Sequence, residues 1–225
     1  MRTLFPLALL ALSLPAVAQP SFGVKVGVNA ADVSDIEEGV DLLQFDGVEK
    51  QSRLGLVVGL TADVPFASSL SFRPEVLYTQ KGYVVDVDLT RGGPEDGFQG
   101  SLTSEFDYLE VPLLLAYTFP TSNALEVAVE AGPTLSYVLS TGFGCSGGFE
   151  EECEEDDEVE GEDGLRDFDL GGAIGVTVGS GPFGVGLRYT NSLSSIVDEN
   201  ATGPTEDFSP RNQVLTASLM YRLGR

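Results

Sequence analysis

The chain has 225 residues, and 12 Lys+Arg against 35 Asp+Glu give a formal net charge of −23. Such acidity excludes a nucleic-acid binder and a protein held to anionic lipid by basic residues. Histidine is absent, which removes every imidazole base and metal ligand, yet 42 % hydrophobic residues and 27 glycines are too apolar for a disordered acidic chain.

The first element is an export segment. Met1-Arg2-Thr3 is a short basic start, residues 4–14 are apolar, and Ala16-Val17-Ala18 forms a small-x-small site before Gln19. This predicts a signal peptide over residues 1–18, cut between Ala18 and Gln19. The apolar run is too short for a transmembrane helix, and no later run approaches the required length. Transmembrane strands remain open, because they never form one continuous apolar run. Residues 19–225 then read as a single domain.

Strict period-two alternation predicts eight strands in chain order, near 22–30, 54–64, 69–81, 105–119, 124–139, 167–179, 182–191 and 215–223. Pro74, Pro112 and Pro133 inside apolar runs argue against helices and predict bulges where they fall. Short turns at 65–68, 120–123 and 180–181 alternate with long connections at about 31–53, 82–104, 140–166 and 192–212. The long connections carry most of the 35 carboxylates and the short turns carry none. That layout predicts an all-β fold, an eight-stranded antiparallel up-and-down transmembrane barrel. Its acidic loops are expected outside the cell and both termini in the periplasm.

The two strand faces differ in kind. Aromatics on the apolar face fall at two heights: Phe72, Tyr117, Phe119, Phe183 and Tyr221 near the short turns, and Tyr78, Tyr137, Phe168 and Tyr189 near the long loops. Two such belts match the interfaces of a bilayer. The other face carries glycines with Lys25, Arg73, Lys81, Arg188, Arg222, Asp63, Glu75, Glu110, Glu126, Glu130 and Asp169. Small residues beside opposite charges suit a narrow lumen. The expected lumen network is Lys25, Arg73, Glu75, Glu110, Glu126, Glu130, Arg188 and Arg222. Arg73, Glu75, Glu126 and Arg222 are placed toward the short turns, Glu110 and Arg188 toward the loops.

Several runs resemble a known group. Gly23-Val24-Lys25-Val26-Gly27, Phe72-Arg73-Pro74-Glu75-Val76-Leu77-Tyr78 and Tyr108-Leu109-Glu110-Val111-Pro112-Leu113-Leu114 are similar to the PorT-like outer membrane protein beta-barrel family of Gram-negative bacteria. Gly132-Pro133 and Tyr221-Arg222-Leu223 fit as well. The resemblance implies an eight-stranded barrel of OmpX-like or OmpA-like architecture in the outer membrane. It implies no single function, since a few relatives assist protein secretion and most have no assigned role.

The remaining motifs carry little chemistry. Gly142-Phe143-Gly144-Cys145-Ser146-Gly147 matches a phosphate-loop pattern, but carboxylates follow where a helix would have to open. Asn200-Ala201-Thr202 is a sequon common by chance. Glu126 and Glu130 share a face and could imitate an acid/base pair, yet lumen charge pairing explains them. Cys145 and Cys153 are expected to form a local disulfide in an oxidising compartment. The run 150–163 holds 11 carboxylates; weak divalent-cation binding and a solvated loop adapted to salt are both readings of it.

No catalytic, cofactor or resident metal site emerges. The expected function is a non-enzymatic integral outer-membrane barrel with a structural, adhesion or secretion-accessory role. Its expected partners are outer-membrane lipid, lipopolysaccharide and envelope or secretion proteins, not nucleic acid. The alternatives are a small porin-like channel, a soluble ligand-binding barrel and, least favoured, an enzyme working without histidine.

Overall fold

Eight strands, each antiparallel to the next, close into a ring in the computed structural model. It describes residues 19–34, 47–88, 99–121, 124–148, 166–196 and 210–223. The export segment 1–18, Cys153 and the acidic run 150–163 lie outside the described residues. The strands are β1 (Ser21–Ser34), β2 (Val48–Pro65), β3 (Leu70–Asp88), β4 (Gln99–Phe119), β5 (Leu125–Gly147), β6 (Phe168–Ser180), β7 (Phe183–Ser192) and β8 (Arg211–Leu223). β8 seals the ring against β1 from Phe22↔Leu223 to Ser34↔Arg211. Closure pairs backbone groups between strands and leaves no sheet edge around the belt, the condition for strands to cross lipid.

The polarity of the ring is inverted relative to a soluble barrel. Val24, Val26, Val28, Leu56, Val58 and Leu187 are exposed on its outside, as are Leu54 at 77 % and Ile174 at 63 %. Lys25, Arg73, Glu75, Lys81, Glu110, Glu130 and Arg188 are buried inside. Soluble proteins do not present an apolar belt on every strand of a barrel. The soluble-barrel alternative therefore falls: the surface a soluble protein turns to water is here the apolar one. On that surface Tyr117 stacks edge-on against Phe119 with centroids 5.1 Å apart, Phe183 meets Tyr221 at 5.3 Å, and Tyr137 meets Phe168 at 5.0 Å.

The strands run further into the expected loops than alternation shows. Residues 48–53, 82–88, 99–104 and 140–147 all lie in strands, so the bounds 31–53, 82–104 and 140–166 overstate those connections. β5 has 23 residues and β4 has 21, whereas about 9–11 suffice to cross a bilayer. β5 pairs with β4 as far as Gly147, but its ladder with β6 ends at Tyr137. β2 pairs with β3 from Val48, but with β1 only from Arg53. A four-stranded sheet of β2–β5 thus projects past the loop-side rim. Val48, Val85 and Val87 pack together there with Tyr83 and Leu102. Alternation hides this extension because polar and small residues on both faces break the apolar pattern.

Bulges were expected at Pro74, Pro112 and Pro133, and the register does not shift at any of them. The ladder skips rungs after Pro74↔Leu113 and between Pro112↔Thr134 and Leu115↔Ala131, then resumes unchanged. A missing N–H removes a bond without needing an extra residue. The register shifts instead between Ser52 and Val57 on β2, and at Leu139, which is extra opposite Asp107 and Tyr108. One glycine shows how tightly the wall is coiled. A Cβ on Gly59 would lie 2.1 Å from the Val76 carbonyl oxygen, so only glycine admits this approach of β2 to β3.

Candidate functional site: the barrel lumen

Alternation sends one residue in two inward, and the shear of a closed ring decides which inward residues meet. From the short-turn end the lumen is filled in layers. At the mouth, Arg222 Nη1 bonds Glu126 Oε2 at 2.6 Å, from β8 to β5. Arg73 Nε donates to Asp63 Oδ2 at 3.0 Å, and its Nη1 reaches Thr177 Oγ1 at 3.1 Å and Glu130 Oε2 at 3.4 Å.

The central layer is built around Arg188 of β7. Its guanidinium grips Glu75 with two bonds, Nη1–Oε2 at 2.7 Å and Nη2–Oε1 at 3.0 Å. It also reaches Glu130 Oε1 from Nη2 at 2.5 Å and from Nε at 3.2 Å. Lys25 Nζ completes the cluster on Glu75 Oε1 at 2.5 Å. Lys25, Arg73 and Arg188 thereby face Asp63, Glu75 and Glu130, cation for carboxylate. A planar fork bound to carboxylates on both sides is the geometry in which arginine is strongest.

Above it lies an uncharged layer. Asn29 donates to Thr79 Oγ1 at 2.6 Å and accepts from Thr216 Oγ1 at 2.8 Å, beside buried Val57 and Leu77. The void beside these residues has about 10 Å³, about the room one water needs. A second charged layer follows. Lys81 Nζ bonds Glu110 Oε2 at 2.7 Å and stands 4.7 Å from the centroid of the Tyr108 ring. Asp169 accepts from Ser192 at 2.5 Å and from Asn212 at 3.4 Å.

Beyond that layer the interior turns apolar. Ala31, Val33, Phe106 and Ile196 are buried. Residues 193–196 after β7 fold across the rim: Ile196 N donates to the Pro210 carbonyl at 2.9 Å, and Arg166 N to the Ile196 carbonyl at 2.9 Å. Among the described residues these side chains fill the loop end of the lumen, while the short-turn end forms an open cup with a cavity of about 450 Å³.

The residues expected to form the lumen network fall into three groups. Lys25, Arg73, Glu75, Glu130 and Arg188 meet in one cluster, Glu126 and Arg222 pair at the mouth, and Glu110 stands apart with Lys81. Arg188 is therefore not at the height of Glu110. Two ion pairs near the rim were not anticipated because at least one member of each lay in the presumed loop 31–53: Arg53 with Glu105 at 2.7 Å and Lys50 with Asp32 at 3.2 Å. Asn29 carried no signal beyond an inward position in a strand, Tyr108 stood only in a run that carries the family resemblance, and Asn212 lay at the end of a presumed loop. Cys145 lies on β5, and its expected partner Cys153 is outside the described residues. Among the described residues no group of three or more Cys, Asp or Glu side chains could hold a metal ion.

A closed ring with an apolar exterior and a packed polar interior defines a transmembrane β-barrel. The chain belongs to the outer membrane protein beta-barrel domain family, whose profile matches residues 17–198. Similar solved structures are also outer-membrane barrels. Neisserial surface protein A shares 17 % identity at a TM-score of 0.42, covering 91 % of this chain and 99 % of that one. OprG from Pseudomonas aeruginosa shares 15 % at 0.42, covering 91 % and 96 %. Ail, the attachment invasion locus protein of Yersinia pestis, solved with a heparin analogue, shares 13 % at 0.41, covering 92 % and 100 %. No curated protein matches the sequence significantly.

Proposed function

We propose that this protein is a non-enzymatic, non-conducting outer-membrane barrel that displays its projecting sheet and acidic loops outside the cell, in an adhesion or secretion-accessory role. The blocked lumen carries the reading. Among the described residues, two layers of buried ion pairs, an uncharged layer between them and apolar side chains toward the loop end fill the lumen, and this packing supports a barrel that does not conduct. The projecting β2–β5 sheet favours display over a purely structural role, because nothing in crossing a bilayer requires it.

In this reading both termini and the short turns lie in the periplasm; what supports it is that β1 begins and β8 ends at the short-turn end, away from the long acidic loops. The PorT-like resemblance and a Cys145–Cys153 bridge are part of this reading. So is contact of the outer rim with lipopolysaccharide. Planar-bilayer recording on purified folded protein tests it. No stable conducting level is expected, and open levels of porin size would replace display by transport. Protease added to intact cells should cut within 140–166 before any short turn; cleavage confined to 120–123 would invert the topology.

A further inference from the structure

We propose that the cup at the short-turn end is a docking site for the chain's own processed N terminus, with the α-ammonium of Gln19 donating to Asp63. This rests on export and cleavage after Ala18. The cavity there is lined by Gln19, Pro20 and Ser21 on one side and by Asp63, Glu126 and Arg222 on the other.

Asp63 is left half satisfied. Its Oδ2 accepts from Arg73 at 3.0 Å, whereas its Oδ1 is buried and has no donor among the described residues. Ser21 stands directly opposite Asp63 in the β1–β2 ladder. Gln19, exposed just before the strand begins, lines the same cavity. Pro20, between them, has no N–H to offer and restrains the chain's path. Cleavage would turn the Gln19 amide nitrogen into an ammonium with three donors beside a carboxylate oxygen that lacks one. Glu126 at the mouth is engaged by Arg222 at 2.6 Å, which leaves Asp63 as the acceptor.

The docked state has a chemical signature. A free N-terminal glutamine cyclises: the neutral α-amine attacks its own side-chain Cδ, the new N–C bond forms, the Cδ–NH2 bond breaks, and the amine's proton leaves with ammonia. An ammonium held by a carboxylate keeps its proton and has no lone pair for this attack. Purified full-length barrel in detergent is incubated at mildly alkaline pH, and intact mass follows the loss of one ammonia. Folded wild type is expected to cyclise roughly tenfold more slowly than the same protein unfolded in urea, and more slowly than folded Asp63→Asn. The comparison of folded with unfolded wild type stands even where Asp63→Asn does not fold. A chain starting at Gln19 that cyclises equally fast folded and unfolded overturns the docking alone. A mature chain starting elsewhere overturns the cleavage reading and the docking with it.

Discussion

Arg188→Ala is the most demanding test of the lumen. The substitution deletes four charge-assisted bonds, two to Glu75 at 2.7 and 3.0 Å and two to Glu130 at 2.5 and 3.2 Å. Glu75 would keep Lys25, and Glu130 would keep Arg73 at 3.4 Å. The central cluster would change from three cations facing three carboxylates to two facing three. Breaking one member of a buried charge network and stranding its partner costs about 3–5 kcal/mol. That corresponds to a loss of roughly two to four decades in the folding equilibrium constant. The chain has no tryptophan, so the folded fraction is best read from heat-modifiable gel mobility across a urea series in lipid vesicles. Neutralising the stranded group should restore part of the loss, so Arg188→Ala with Glu130→Gln should unfold at higher urea than Arg188→Ala alone. A single variant within about 1 kcal/mol of wild type would show that water screens the cluster. A double variant no better than the single would show that Arg188 acts by packing rather than charge.

Three shorter tests follow from the wall and the loops. Gly59→Ala should lower stability by about 1–3 kcal/mol in the same urea assay, because its Cβ would meet the Val76 carbonyl at 2.1 Å, whereas Gly172→Ala, with nothing within 4 Å, should be close to neutral. Equal effects would contradict the tight coiling of β2 on β3. Ile174→Arg, at an outward position midway along β6, should cost about 2–4 kcal/mol in vesicles, and a neutral result would remove lipid from that face. If residues 150–163 bind calcium, millimolar calcium should protect 140–166 from protease more than sodium chloride of equal ionic strength; matched protection would leave only screening.

The sequence by itself determined the ring and its polarity. Alternation of Val24, Val26 and Val28 with Gly23, Lys25 and Gly27 decides which face each residue takes, because successive strand residues must point oppositely. Chain order and turn length then decide which strands are neighbours. What lay beyond the sequence was height. Glu75 and Arg188 are separated by 113 positions, and whether they meet depends on the stagger of eight strands around the ring. That stagger accumulates from the register of every strand pair around the ring, which no local pattern marks. The plug of Val33, Phe106 and Ile196 was hidden for the same reason, and the projecting sheet because polar and small residues on both its faces break the alternation. Period two assigns a side chain to the inside, but only closure of the ring decides what it finds there.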